Sequence, residues 1–576
     1  MTRRTFLSTS ILGATVGAGP QSLTPAVSPA QVPGFEISRQ VEISLPEKAL
    51  EESFWIAAKL VSDMRRLASQ FSGEEKNMGT IRSSGELKDG WLAVSDGKFH
   101  PQHSFDPRDF RYGPKCAAYL YGDDPSFSLE MGKRIFLDQI DGKDGHINWD
   151  WKRQEQTSIS LAHQAKHFSD YISYLEQDEF VEENWDRLLR MCKWALATYD
   201  RNDDGLIESG NMIPDYLWCL LVGEPYNFPR VPDCAQDVVV VSSMEMCELF
   251  HVLAAYAAKR GLPESEWLQG RAHQAHAAIE GSAYDPDAGY YYLLFRSPEK
   301  KWYHSLEGIH EYSRELDVTP YYAALVSGNF SRATRVAQYA QRVLLDDQVF
   351  PMPLHYPSYY WVSKYYNDPY GFVPGGCWEQ AYYNCVRAWS HCGMLAPLYE
   401  AIKRRSEAYV RDQGCWEWYT QKGEARGRDR YGISAAAHVS AIIEGLFGIT
   451  PAGFGFSEIK IHPNFPLKWS GQRPAIRVTL PGNGFLKYVY DRDDQSRTLN
   501  LTVESDKPRI GHFRVLVPGP VESVRWNAEA VKCDVALQPG SGSFVFLKKP
   551  FKNDTLQIKF ARCDAKGLPA PVCSSV

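Results

Sequence analysis

No two of the twelve cysteines in this 576-residue chain stand as Cys-x-x-Cys, which removes the pattern of a zinc ribbon or a thioredoxin-type redox site. No long basic run occurs, and 63 Lys and Arg against 70 Asp and Glu leave a net charge of −7. A nucleic-acid partner, which needs a concentrated positive face, is not expected. Past the N-terminus no apolar stretch looks long enough to fill the ~20 residues of a membrane span, so no anchor is expected in the mature chain. There is no low-complexity linker and no period of the kind that builds a solenoid. What remains is a globular composition, 44% hydrophobic and 23% charged, on a chain too long for one ordinary domain.

Arg3-Arg4-Thr5-Phe6-Leu7 and the weakly apolar stretch behind it are similar to a twin-arginine export signal. Cleavage is expected before Gly34, and the mature protein is expected to be periplasmic or secreted. Most cysteines sit in apolar helical contexts and read as buried thiols. Cys563 and Cys573 flank a polar tail loop and could pair after export.

From about residue 45 to 446 the pattern is helical. Apolar periodicity predicts helices over 46–71, 126–140, 156–175, 180–199, 238–260, 264–283, 318–327, 331–345, 378–391, 394–411 and 434–446. So many helices in succession, with no interleaved parallel strands, argue against a (β/α)8 barrel and fit a ring of paired helices. After Gly448-Ile449-Thr450-Pro451 the period shortens to alternation over 459–461, 476–480, 486–490, 498–503, 513–517, 521–526 and 543–547. The expected fold is mainly α: an (α/α)6 six-hairpin toroid over 35–450, after a signal segment and linker over 1–34. A small C-terminal β-sandwich with a tail is expected over 451–576.

Asp200 to Tyr216 is the most acidic loop of the chain, with carboxylates at 200, 203, 204, 208 and 215 around glycine and proline breaks. Carboxylates on a loop at the rim of a helical scaffold suit acid/base work on a glycosidic bond, where one gives a proton and another activates water. Asp200, Asn202, Asp204 and Gly205 also match the first half of a calcium loop, although Asn211 stands where that loop has its closing glutamate. A glycine-stopped helix turn explains the same residues, and no cofactor is otherwise expected.

Three patches then line up in order. Glu208-Ser209-Gly210 is followed by Asp237 in Ala-Gln-Asp-Val-Val; next come Gly375-Gly376-Cys377-Trp378-Glu379. Last are Glu417-Trp418-Tyr419 with Tyr431-Gly432-Ile433-Ser434. In this order the chain resembles the six-hairpin glycosidases, most closely trehalases and processing α-glucosidases, including mannosylglycerate-hydrolase-like members. The segment Ile459-Lys460-Ile461-His462-Pro463 is similar to the terminal β-domain of related rhamnosidases.

The resemblance implies an inverting hydrolase of an α-linked glycoside or oligosaccharide, with Glu417 as general base and a carbohydrate as partner. The family's acid is an aspartate two residues after the Glu-Ser-Gly glycine, where this chain has Met212. Either Asp215 takes the role through a short insertion, or Glu208 does, or the chemistry is altered. Asp150, between Trp149 and Trp151, resembles the family's element that grips sugar hydroxyls. Asp237 and Glu379 are further candidates for hydroxyl contacts, and Trp378 and Trp416 for aromatic ones. The dense aromatic loop 356–370, which contains Trp361, reads as a sugar platform. Arg426, Arg428 and Arg430 suit either a solvated loop or an anionic substrate group.

Three other readings stay open: rhamnosidase-like action, a polysaccharide lyase using His304, His310 or His355 near tyrosines, and a non-catalytic sugar-binding protein.

Overall fold

The computed structural model describes residues 41–63, 113–121, 158–175, 178–208, 237–296, 314–356, 375–427, 431–538 and 542–561. Among these, twelve α-helices follow one another: α1 Lys48–Asp63, α2 Gly113–Tyr121, α3 Ser158–Leu175, α4 Asp178–Glu183, α5 Trp185–Tyr199 and α6 Val240–Arg260. They continue as α7 Ser265–Ala278, α8 Val318–Leu325, α9 Phe330–Leu345, α10 Glu379–Cys392, α11 Leu395–Asp412 and α12 Gly432–Ser440.

Two kinds of helix alternate, and the sequence says why. α9 buries Ala333, Val336, Ala337, Ala340, Val343 and Leu344, one stripe at helical spacing with polar residues elsewhere. α12 buries every residue from Ile433 to Ser440, because small and apolar side chains cover its whole circumference. α8 and α10 are likewise buried nearly all round. α6 is long and apolar enough, by length and composition alone, to cross a membrane, contrary to the expectation from the sequence. Most of it is buried inside the protein, as a core helix is.

The buried helices pack in succession: α2 on α3, α3 on α6, α6 on α8, α8 on α10, α10 on α12, and α12 on α2. The one-sided helices back them: α7 on α6, α9 on α8, α11 on α10, and α1 on both α11 and α12. Burial of this kind stabilises strongly, since truncating one buried Leu or Ile to Ala costs about 2–5 kcal/mol.

A short strand feeds the start of three buried helices. Asp237–Val239 leads into α6 and pairs with Leu294–Arg296. Arg314–Glu315 precedes α8 and pairs with His355–Tyr356. Cys377–Trp378 leads into α10 and pairs with Trp418–Tyr419, which pairs in turn with Ala425–Arg426. The Glu315 carboxylate caps α8, accepting the backbone N–H groups of Asp317, Val318 and Thr319 at 2.7, 2.8 and 2.9 Å. Those donors would otherwise be orphaned.

The C-terminal part is a mostly antiparallel sheet of ten strands among the described residues. Glu42–Ser44, from ahead of α1, joins it beside Ala475–Leu480. The segments expected separately at 498–503 and 513–517 are one strand, Thr498–Val517, with a register shift between Glu504 and Arg509. A bulge lets a strand bend without breaking its pairing, so apolar alternation lapses where the strand continues. Sheet and helices are joined at Thr479 Oγ1, which donates to Ala118 O at 2.9 Å, and at Tyr488, whose hydroxyl donates to Phe447 O at 2.6 Å.

Some boundaries differ from expectation. Residues 238 and 239 are strand, not helix, because they pair with Phe295 and Leu294. The helices expected over 264–283 and 434–446 end in π turns, Ile279–Ala283 and Ala441–Leu446. The run expected over 180–199 is two helices broken at Asn184. α2 was not foreseen: it has only nine residues, no polar face, and a Gly-Pro start that reads as a turn. The helix expected over 126–140 lies outside the described residues.

Candidate active site

α5 ends at Tyr199, and the acidic loop begins with a turn that its own carboxylates build. Asp200 accepts the backbone N–H of Asp204 at 2.9 Å and of Gly205 at 3.2 Å. Asp204 Oδ1 accepts that of Leu206 at 2.9 Å, and Asp203 pairs with Arg271. Asp200 and Asp204 are thus engaged in shaping the loop, and no group of three or more His, Cys, Asp or Glu among the described residues could hold a metal ion. Burial pushes the Asp200 carboxyl up to about 7, against the pull of the Gly205 N–H.

The turn delivers Glu208 to the strand before α6. Glu208 N donates to Tyr199 O at 2.6 Å, Val239 N to Ile207 O at 2.9 Å, and Glu208 forms a bridge with Val238. Its side chain is buried and its Oε2 accepts from Arg201 Nε at 2.7 Å and Nη2 at 2.6 Å. Burial raises the Glu208 carboxyl above its ordinary range, and the guanidinium offsets part of that rise. Asp237 heads the adjoining strand, opposite Arg296.

Glu417 is half-buried where the chain enters the strand Trp418–Tyr419. Gly427, at φ +74°, lies against it: a Cβ there would come within 2.7 Å of Glu417 Oε2 and 2.8 Å of its Cβ. A side chain at 427 would therefore push the candidate base aside. Trp378 and Trp418 face each other across the paired strands, ring centroids 6.5 Å apart and planes 20° from parallel. Trp416 packs partly buried against the core. Arg426 is exposed and paired with Glu424 at 2.9 Å, as a solvated loop residue would be.

One candidate is reassigned. Glu379 is not available to a substrate: it is fully buried, its Oε1 bonded to Arg405 at 2.8 Å and to the Tyr409 hydroxyl at 2.7 Å. Arg405 is itself buried, with the rings of Phe350 and Tyr419 within 5 Å. Burial pushes the Glu379 carboxyl up to about 7 against the pull of Arg405. His355 is likewise fully buried, and desolvation pushes it down to about 4, so it is not placed to meet a polysaccharide as a base. Asp215, Trp149, Asp150, Trp361, His304, His310, Arg428 and Arg430 lie outside the described residues.

Hydrogen bonds and short stretches of chain link the Glu208 region to Glu417 past the starts of α6, α8 and α10. Val240 N donates to Leu293 O at 3.2 Å, and the hydroxyl of nearby Tyr290 donates to Glu315 O at 2.6 Å. Leu316 N donates to Leu354 O at 2.8 Å, and Leu354 N to Gly376 O at 3.2 Å. Cys377–Trp378 then pairs with Trp418–Tyr419. Both carboxylates thus lie on segments tied to the short strands that precede α6, α8 and α10.

The buried helices also share an ionic network that the sequence did not disclose. Asp170 sits between Lys115 and Lys166, each 3.1 Å away, and Lys166 reaches Glu248 at 2.8 Å. Tyr321 donates to Glu248 at 3.2 Å, and Lys115 donates to Tyr383 at 3.1 Å. Glu444 pairs with Arg387 and accepts from Tyr174 at 2.7 Å and Tyr119 at 3.2 Å. α2, α3, α6, α8, α10 and the π turn after α12 each contribute. The available signal was a set of lone charges inside apolar helical runs, such as Glu444 in Ala-Ile-Ile-Glu-Gly-Leu, but nothing in the spacing said that they meet.

No protein family and no curated protein is matched by the sequence. Solved structures match the fold. The GH78-family rhamnosidase of Bacillus sp. GL1 does so with a TM-score of 0.55 at 14% identity, over 82% of this chain and 42% of that one. The α-L-rhamnosidase of Dictyoglumus thermophilum gives 0.54 at 9% identity, over 90% and 50%. That of Streptomyces avermitilis, complexed with L-rhamnose, gives 0.52 at 10% identity, over 90% and 42%. The likeness to glycoside hydrolases expected from the motifs thus holds at the level of the fold. The chain spans half or less of the length of these structures.

Proposed function

We propose that this chain, which shares its fold with rhamnosidases, is a glycoside hydrolase whose six buried helices form the inner ring of an (α/α)6 toroid. The C-terminal sheet is its β-sandwich. One observation carries the reading: the chain of pairings that links Glu208 to Glu417 past the starts of α6, α8 and α10. Two carboxylates at one end of a helical ring are what bond cleavage between a sugar and its aglycone requires.

In this reading Glu417 is the general base. Its backing by Gly427 leaves the carboxylate room to hold a water. The acid is Asp215 or Glu208; in Glu208 burial raises the carboxyl above its ordinary range despite Arg201, the direction a proton donor needs. The Trp378–Trp418 pair supplies a wall for a sugar ring. The displacement inverts configuration, as expected when the carboxyls stand about 6.5–9.5 Å apart and admit a water.

The test is a screen of the full chain on aryl glycosides and natural oligosaccharides, with the anomer of the first product read by NMR. Inversion is expected; a retained anomer rejects the water-activating role of Glu417, and silence on every glycoside rejects hydrolysis. α-L-Rhamnosides belong in that screen, because the matching solved structures named above are rhamnosidases. Export belongs to the same reading and rests on Arg3-Arg4. Replacing both by Lys is expected to hold the protein in the cytoplasm of a twin-arginine-competent host, and unchanged export removes the assignment.

A further inference from the structure

The buried network has an open end and a closed end. Side-chain exposure is 13% at Glu248 and falls to 3% or less at Lys166, Asp170, Lys115 and Glu444. Tyr321 is half-buried. At the open end Tyr321 stands in the first turn of α8, shortly after the strand Arg314–Glu315. Glu248 lies in the third turn of α6, roughly 12 Å from the start of that helix at 1.5 Å per residue. Glu444, at the closed end, follows α12.

The two ends also differ in hydrogen bonding. Glu248 Oε1 accepts from both Lys166 and Tyr321, at 2.8 and 3.2 Å. Its Oε2 accepts nothing among the described residues, yet it is not among the buried atoms left without a partner. It therefore faces solvent. The Lys166 ammonium lies 3.9 Å from the centre of the Tyr321 ring, which fixes the ring over the ion pair. Among the described residues of this network, Lys115, Lys166 and Arg387 are matched by Asp170, Glu248 and Glu444, so its three cations and three anions balance.

We propose that Glu248 and Tyr321 are the floor of the substrate pocket and recognise the hydroxyl groups of a neutral sugar, with Lys166 as the positioning residue that holds Glu248. The inference rests on the glycosidase reading above. The chemistry follows from the free oxygen. A carboxylate accepts hydroxyl donors in charge-assisted bonds, and the phenol oxygen can accept one more. An anionic sugar would bring its charge against Glu248, and Lys166 is already shared between Asp170 and Glu248. The floor selects a neutral sugar and turns away a uronic acid.

Calorimetric titration of the full chain with L-rhamnose, D-glucose and D-glucuronate tests this. Glu248→Gln keeps the shape and an acceptor for Lys166; Tyr321→Phe removes one hydroxyl. The parent is expected to bind at least one neutral sugar roughly ten-fold more tightly than D-glucuronate. Glu248→Gln should weaken the neutral sugar by roughly ten-fold and narrow that gap, and Tyr321→Phe should weaken it several-fold. Melting temperatures confirm that the variants fold, and Tyr321→Phe carries the test if Glu248→Gln does not.

Equal affinity in parent and a folded variant overturns the floor, as does a parent that binds neither neutral sugar. A parent that hydrolyses glycosides while its variants bind unchanged rejects the floor alone. A parent that binds as expected but hydrolyses nothing rejects the glycosidase reading instead.

Discussion

Glu417 and Gly427 are a pair in which backbone conformation leaves room for the proposed base. The glycine's φ of +74° and its approach to Glu417 leave no place for a side chain. Glu417→Gln is expected to lower turnover by ~10²–10⁴-fold, the usual share of a positioned base, with an unchanged melting temperature; near-parental kcat would remove the assignment. Gly427→Ala is expected to reduce kcat as well, because the added methyl displaces the carboxylate. The strain of a non-glycine at positive φ should cost about 1–2 kcal/mol in denaturant unfolding. If kcat is untouched in that variant, Gly427 does not shape the site.

A second residue-scale expectation concerns His438, buried between Ser53 at 2.9 Å and Tyr382 at 3.2 Å. Desolvation pushes its pKa down to about 3. The unfolded chain therefore takes up a proton first as pH falls from about 6.5, and the neutral ring's contribution is lost toward pH 3, at about 1.4 kcal/mol per pH unit. Glu379, pushed up to about 7, acts in the opposite sense: stability falls as pH rises from its ordinary range through 7. A difference measurement isolates the histidine. His438→Gln should be less stable than the parent at pH 7.5, and the deficit should shrink at pH 4.5. A constant deficit across that range contradicts a neutral buried imidazole.

At the scale of elements, the change from helix to sheet turns on Gly448. Its φ is +68°, and a Cβ there would lie 1.9 Å from His462 O, a backbone atom that cannot step aside. The same turn sets the register of Ile449–Pro451 against Glu458–Ile461. Gly448→Ala is expected to destabilise by about 3 kcal/mol or more, the strain and the clash acting together, and a shift of under 1 kcal/mol in chemical denaturation would show that the junction yields. Helix ends follow the same logic on a smaller scale. Gly261 and Gly393 close α6 and α10 in the left-handed conformation, a stop that glycine adopts without a Cβ penalty.

At the scale of the whole molecule, the ionic network ties together helices far apart in sequence. A buried ion pair need not add net stability, but removing one partner leaves an uncompensated charge. Arg387→Met is therefore expected to cost about 3–5 kcal/mol, whereas Arg387→Met with Glu444→Gln should recover a large part of that. Additive losses in the double variant would mean that the two groups are not coupled.

Local pattern carried much of this in advance. Apolar spacing in α9 and α11, the alternation after Gly448 and the acidic loop after Tyr199 are read from neighbours along the chain, because helix and strand periods depend only on nearby side chains. By the same route Glu208 and Glu417 were legible as candidates, each lying next to a recognisable turn or strand. Burial was not, because it depends on what approaches from elsewhere. Glu379 looked like a substrate contact from its place after Trp378, and only Arg405, brought in from α11, shows it to be a core ion pair. α2 lacks the polar face that marks a helix, since other helices and the sheet cover it. Glu248, Tyr321 and Lys166 come from three helices whose meeting no sequence spacing encodes. The chain's local order determined which elements form and where candidate chemistry sits along them. Packing of distant segments decided which charges stay accessible and which are paired in the core, because a buried charge is tolerated only where its partner arrives.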